Sequence, residues 1–339
     1  MASHTTWAAR HALACVSAAV LLTAQAQQPL RAAEPDKEPA CACPATVTAD
    51  TESAESAESA EGWLASKTGW YELPETVSCG DVIYFSHEHL PSAPEKRNYS
   101  FCFSPQHHAS LWVAYPLHEC YTGEAKRDNK FCFDADFAAV TGSTDLQADV
   151  SGAYYSQHNN SKASETNLQY SRGHQLPSAD RTASAEDNRT TFYATNMTPQ
   201  RQQLNGGAWE KLESLVRGRW MCSDTLYVVS GAIFADSTRV AFDNRSRGKS
   251  VSVPSHYYKA LLRTKCGSTG KSIDECAAEE LQCIAFIIGH DDSRSRKCVF
   301  RNDACSVERL EQITGISFFV NAPQAPKQEF DTEEWPGLQ

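Results

Sequence analysis

Three short blocks of this chain carry side chains able to move a proton, hold a metal ion or grip a phosphate. The first is "SRGH", Ser171–His174, where Arg172 and His174 flank Gly173. The second is "TNMTPQ", Thr195–Gln200, which contains Asn196. The third is "LNGGAWEKLESLVR", residues 204–217, with Asn205, Trp209, Glu213 and Arg217 four residues apart. An imidazole titrates near neutrality, so His174 can take a proton from water. An amide oxygen such as that of Asn205, with waters, suits Mg2+, which prefers oxygen ligands and keeps much of its hydration. The ion would stabilise charge on a phosphate and on its leaving oxygen. Arg172 and Arg217 could hold or neutralise phosphate oxygens.

These groups need elements that bring them together. "NLQY" and "TTFYATNM" read as strands, with Arg172 and His174 on a turn between them and the second strand ending at Asn196. A helix is expected from Asn205, as its N-cap, to about Trp220. Positions i and i+4 share a helix face, so Asn205, Trp209, Glu213 and Arg217 form a slowly drifting line. Leu212, Leu215 and Val216 would supply the buried side. Strand, turn, strand and helix make a ββα unit that can set an imidazole opposite a metal. The bland alternative is an amphipathic helix with a Glu213–Arg217 pair.

Other strands are expected in "DVIYFSHEHL", "SFCFSP", "SLWVAYPL", "TLYVVSGAIF", "YYKALLR" and "CIAFIIG", and a second helix over Ser306–Thr314. Strands dominate without regular helix alternation. The fold class is therefore α+β, mainly an antiparallel sheet.

Residues 1–26 read as a secretory signal, with Arg10 before an apolar run and "AQA" as the cleavage site; a membrane anchor is the alternative. The expected product is secreted, or periplasmic if bacterial. The apolar run of the signal is short, and no internal run reaches the length of a membrane span. Residues 27–66 contain "ESAESAESAEG" and read as an acidic, low-complexity linker, a solvated helix at best. The working domain is placed at 67–325, with a flexible tail at 326–339. Thirteen cysteines, twelve of them outside the signal, suggest disulfides in an exported protein. Five glycosylation sequons occur, at Asn98, Asn159, Asn188, Asn196 and Asn244. The formal charge is −11, of which residues 63–339 carry −6. A basic nucleic-acid-binding domain is excluded on net charge, though a local basic groove is not.

Three further motifs read as structural. "CGSTGKS", Cys266–Ser272, lacks the first glycine of a phosphate loop and reads as a surface loop. "HEH", His87–His89, offers two imidazoles on one strand face but no third ligand at useful spacing. "GHDDSRSRK", Gly289–Lys297, reads as a charged hairpin. The hydrolase signature G-x-S-x-G is absent.

The three chemical blocks, in order and at matching spacing, resemble the DNA/RNA non-specific endonucleases, the ββα-metal group with a His-Me finger. That family's pattern is D-R-G-H, then S/T-N-x-x-P-Q, then L-N-x-x-x-W-x-x-L-E. A weaker likeness spans residues 75–325 and includes "WVAYPL", "VSGAIF" and "ITGISFF". The resemblance implies His174 as general base and Asn205 as the one direct protein ligand of the divalent ion. It implies Glu213 as the carboxylate orienting metal-bound water. Arg172, Asn196 and Arg217 become phosphate-holding or site-ordering residues. Arg127 in "KRDNKFCFDADF" matches a further family arginine, and the family's following D-P pair is altered here to Asp134–Ala135. Ser171 replaces the family's aspartate, keeping a hydrogen-bonding oxygen but losing a charge. The implied activity is hydrolysis of DNA and RNA with Mg2+ or Mn2+, through backbone contacts that carry no base information. A catalytically weakened nucleic-acid-binding protein, or a phosphodiesterase of smaller substrates, stands as the alternative. The sequence gives no oligomeric state.

Overall fold

The computed structural model describes residues 60–75, 81–148, 170–235, 240–242 and 250–339, all within one compact unit, Cys41–Gln339. The expected signal and most of the acidic linker lie outside these residues.

Seven strands form an antiparallel sheet: β1 (Ile83–His87), β2 (Tyr99–Ser104), β3 (Ala109–Leu117), β6 (Leu226–Ile233), β9 (His256–Thr264), β10 (Leu281–Gly289) and β11 (Ala304–Cys305), paired in that order. Two small hairpins stand apart from it, β4 (Tyr170–His174) with β5 (Met197–Arg201), and β7 (Val240–Phe242) with β8 (Ser250–Ser252). The helices are α1 (Ala60–Ala65), α2 (Ala135–Thr141), α3 (Ala185–Thr190), α4 (residues 202–220) and α5 (Val307–Thr314). The expected α+β class, with a mainly antiparallel sheet, is what the chain forms. All six expected sheet strands and the Ser306-capped helix are present.

The sheet is covered on both faces, because side chains alternate across a strand. On β10, Ile284, Phe286 and Ile288 join one core cluster, while Leu281, Cys283 and Ala285 join the other. Helix α4 lies over the first face and contributes Trp209, Leu212, Leu215, Val216 and Trp220. Each such aliphatic side chain contributes about 1.5–3 kcal/mol when fully buried. β3 and β6 pair directly, yet β4, β5 and α4 all lie between them in sequence. The ββα unit is thus a long excursion that starts and ends on two central strands.

Several local expectations are corrected. Arg172 and His174 sit on β4 itself, not on a turn. "TTFYATNM" is not a strand. Ser184 caps α3 with its side chain on the Asp187 N–H, and the pairing with β4 begins only at Met197. Helix α4 starts at Gln202, so Asn205 lies inside it rather than capping it. The end of the acidic segment forms α1, which sends Trp63 into the core instead of being wholly solvated. The tail at 326–339 is packed, not loose. Trp335 is buried against Trp220, whose indole N–H donates to the Pro336 carbonyl at 3.1 Å. An apolar indole docked on the last turn of α4 holds a segment whose polar composition had suggested fraying.

All nine described cysteines are free thiols, so the expected disulfides do not occur among the described residues. Asn98, Asn188 and Asn196 are fully buried and hydrogen-bonded, which removes three of the five sequons as acceptors. The Cys266–Ser272 loop does wrap an anion, but it is the chain's own Asp224, which accepts the Thr269 and Gly270 amides at 2.9 Å.

Candidate active site

The site begins on the β4–β5 hairpin. Residues i and i+2 share a strand face, so Arg172 and His174 point the same way. Gly173 sits on the opposite face, where a Cβ would lie 2.6 Å from the Gln200 Cβ. The glycine is there because Gln200 lies across it. Gln200 is fully buried and both its amide atoms lack a partner.

His174 is 9% exposed and edge-on to Phe192, with ring centroids 5.1 Å apart. Its ring donates to the Arg172 backbone, and Nε2 has no hydrogen-bond partner. Burial lowers its pKa, the charges of Arg127 and Arg172 push the same way, and the result is about 3. The imidazole is therefore neutral at physiological pH, with a bare Nε2 lone pair. Arg172 lies over the Phe131 ring at 3.5 Å, which fixes its guanidinium beside the histidine.

Asn196 does not face this site. Its Oδ1 accepts the Leu176 N–H at 2.8 Å, and its Nδ2 donates to the Leu176 and Thr191 carbonyls at 2.9 and 2.8 Å. Its hydrogen bonds all go to backbone, so of the two expected roles it fits site-ordering, not phosphate-holding.

Helix α4 supplies the other side. Helix α4 is kinked at Gly207, whose φ −114 and ψ −113 lie outside helical values, so Asn205 sits on the short turn before the kink. A Cβ on Gly207 would lie 2.4 Å from the Arg294 carbonyl oxygen. Only a residue without a Cβ lets α4 press on the 292–295 turn. Asn205 is half-buried, and no hydrogen bond among the described residues engages its side chain.

Glu213 and Arg217 follow on the same helix but do not pair. Arg217 donates to Asp180 Oδ1 at 2.6 Å, and Asp180 is held by the Tyr115 hydroxyl at 3.2 Å. Glu213 forms no hydrogen bond among the described residues. Burial pushes its carboxyl up, against the pull of the Lys259, Arg217 and Arg127 charges. Arg127 is the link between the two halves. It acts electrostatically on both His174 and Glu213, lies over Phe192 at 4.9 Å and donates to Ser178.

Sequence reasoning missed Lys259. It is fully buried on β9, donates to the Ser230 hydroxyl at 3.0 Å and stands 4.6 Å from the Trp209 ring. Burial lowers its pKa, while Glu213 and Asp180 pull it back up. The available signal was a lysine inside the otherwise apolar run "YYKALLR", since lysine is almost never fully buried without a partner.

The structure thus gathers His174, Arg172 and Arg127 into one electrostatic group, and Glu213, Arg217, Asp180 and Lys259 into a second that shares Arg127. Asn205 precedes Glu213 on α4. The donor set fits a hard divalent ion: an uncommitted amide on Asn205 and an unengaged carboxylate on Glu213, both oxygen donors.

Comparison with known proteins agrees with this geometry. Residues 87–325 match the family model described as DNA/RNA non-specific endonuclease. A nuclease of Nostoc sp. is 30% identical over 230 residues, covering 67% of this chain and 72% of its own length. Human mitochondrial endonuclease G is 27% identical over 195 residues, 56% of this chain and 60% of its own. The mitochondrial nuclease of Saccharomyces cerevisiae is 25% identical over 166 residues, 47% of this chain and 48% of its own. With a match across most of its folded part, the chain belongs to the DNA/RNA non-specific endonuclease family and is an endonuclease by that membership.

Proposed function

We propose that this protein is an exported endonuclease that hydrolyses phosphodiester bonds in both DNA and RNA, using Mg2+ or Mn2+. The observation that carries the reading is the bare Nε2 of a neutral, buried His174 beside two guanidinium groups. His174 takes the proton of the attacking water on Nε2, the negative charge of the bound phosphate offsetting the burial and the arginine charges that hold its pKa near 3 in the free protein. Its other nitrogen, tied to the Arg172 backbone, keeps the ring in the accepting tautomer. Arg172 and Arg127 hold phosphate oxygens. Asn205 would hold the divalent ion, with Glu213 accepting hydrogen bonds from water around it. When bound, the ion supplies charge neutralisation at the phosphate and at the departing oxygen. Arg217, already committed to Asp180, orders the Glu213 side of the site.

Contacts to the backbone alone would make cutting indifferent to sequence. Residues 1–26 act as the export signal in this reading, the acidic stretch before α1 as the tether, and the chain from α1 through the packed tail as the nuclease domain. Plasmid DNA, single-stranded RNA and a small phosphodiester, each incubated with Mg2+ and then with EDTA, test the proposal. Cutting of both polymers that EDTA abolishes is expected. Hydrolysis of the small diester alone would contradict it.

A further inference from the structure

We propose a second divalent-cation site, of the zinc class, built from His87 Nδ1 and the Asp136 carboxylate, with water completing the shell. The motif "HEH" offered two imidazoles and no third ligand. The fold brings a carboxylate, Asp136, from 49 residues beyond His87, at the start of α2.

The buried Asp134 carboxylate orients His87. Its Oδ2 lies 2.9 Å from His87 Nε2 and accepts the Thr195 hydroxyl at 2.8 Å, while Oδ1 accepts the Phe137 N–H at 3.1 Å. These bonds make His87 Nε2 the protonated nitrogen and leave Nδ1 as a lone pair. His87 is more than nine-tenths buried, yet Nδ1 makes no hydrogen bond among the described residues; Asp136 Oδ2 lies 3.7 Å from it. That separation is too long for a hydrogen bond. It suits two ligands on one ion, since zinc sits about 2.0–2.2 Å from nitrogen and oxygen donors. A carboxylate behind the imidazole is the usual support of a metal-bound histidine.

A cavity of about 330 Å³ opens at this point, lined by His87, His89, Asp136 and Tyr193 among others. Glu88, which also lines it, is drawn off to Lys67. His87 follows Phe85 in the sheet and Asp136 is largely exposed, so an ion would join the end of β1 to α2. Imidazole with carboxylate and water selects a borderline metal rather than Mg2+. The site is chemically unlike the oxygen donors of Asn205 and Glu213. The ion would brace a domain whose described cysteines form no disulfide.

The test is Zn2+ binding by the EDTA-stripped full chain, followed by equilibrium dialysis and thermal melting, with Co2+ absorption as the probe of ligand type. One equivalent that raises Tm is expected, with a nitrogen–oxygen cobalt spectrum free of thiolate charge transfer. Asp136→Asn changes an exposed side chain and should weaken binding at least tenfold and abolish the Tm shift. Asn205→Ala should leave both intact. Equal Zn2+ stoichiometry and Tm shift in Asp136→Asn and wild type, or no Zn2+ bound by the wild type, would overturn the proposal. So would a His87 ring protonated at both nitrogens in the Zn2+-loaded protein.

Discussion

Asn196 grips Leu176 through both backbone groups, accepting its N–H at 2.8 Å and donating to its C=O at 2.9 Å. Leu176 is two residues past His174, so this pair of hydrogen bonds fixes the exit of β4 and with it the imidazole. Replacing Asn196 by alanine leaves buried backbone groups unpaired, a loss of about 1–3 kcal/mol. A lower Tm and a lower kcat with KM little changed are expected. A raised KM with unchanged Tm would mean that Asn196 touches substrate instead.

His174 gives a pH signature. Its folded pKa lies near 3, below the unfolded value. Between those two values the unfolded chain binds a proton that the folded chain does not, so stability falls as pH drops through that window. Nitrogen NMR of the metal-free protein should show His174 neutral down to about pH 5. Protonation near the ordinary histidine value would refute the buried, twice-flanked geometry.

Lys259 is a positioning residue for Glu213. Its charge opposes the rise that burial imposes on that carboxyl. Lys259→Met should therefore raise the Glu213 pKa further and move the acidic limb of the kcat–pH profile upward. A profile that keeps its shape while only the Tm changes would assign Lys259 a purely structural role.

Gly207 ties α4 to the 292–295 turn. A methyl there meets the Arg294 carbonyl at 2.4 Å. Overpacking of this kind costs typically about 1–3 kcal/mol. Gly207→Ala should lower stability and weaken Mg2+ binding, because the first turn of α4, which carries Asn205, is pushed away from the 292–295 turn. Mg2+ titrations of wild type and variant measure the second effect, and equal affinity would show that the kink at Gly207 does not set the metal ligand.

Much of this was legible in the sequence for physical reasons. Runs such as "CIAFIIG" are apolar on both faces because the sheet is covered on both sides. The spacing from Asn205 to Arg217 is local, so one helix carries it. Elsewhere longer-range forces decided. Thr191 and Phe192 favour strand, yet Asn188 binds the carbonyls of Ser178 and Arg181 and holds α3 in place. The start of α4 at Gln202 is supported by the Ser171 hydroxyl on the Gln202 side chain. Lys259, the His87 cluster and the docked Trp335 depend on contacts between distant segments, which no local pattern announces.

The central claim is that the bare Nε2 of His174 does the chemistry. Initial rates on supercoiled plasmid and on single-stranded RNA, with saturating Mg2+, compare wild type with His174→Ala at equal folded concentration. A fall of about 10²–10⁴-fold on both substrates is predicted. A variant that cuts either polymer as fast as the wild type would contradict the account.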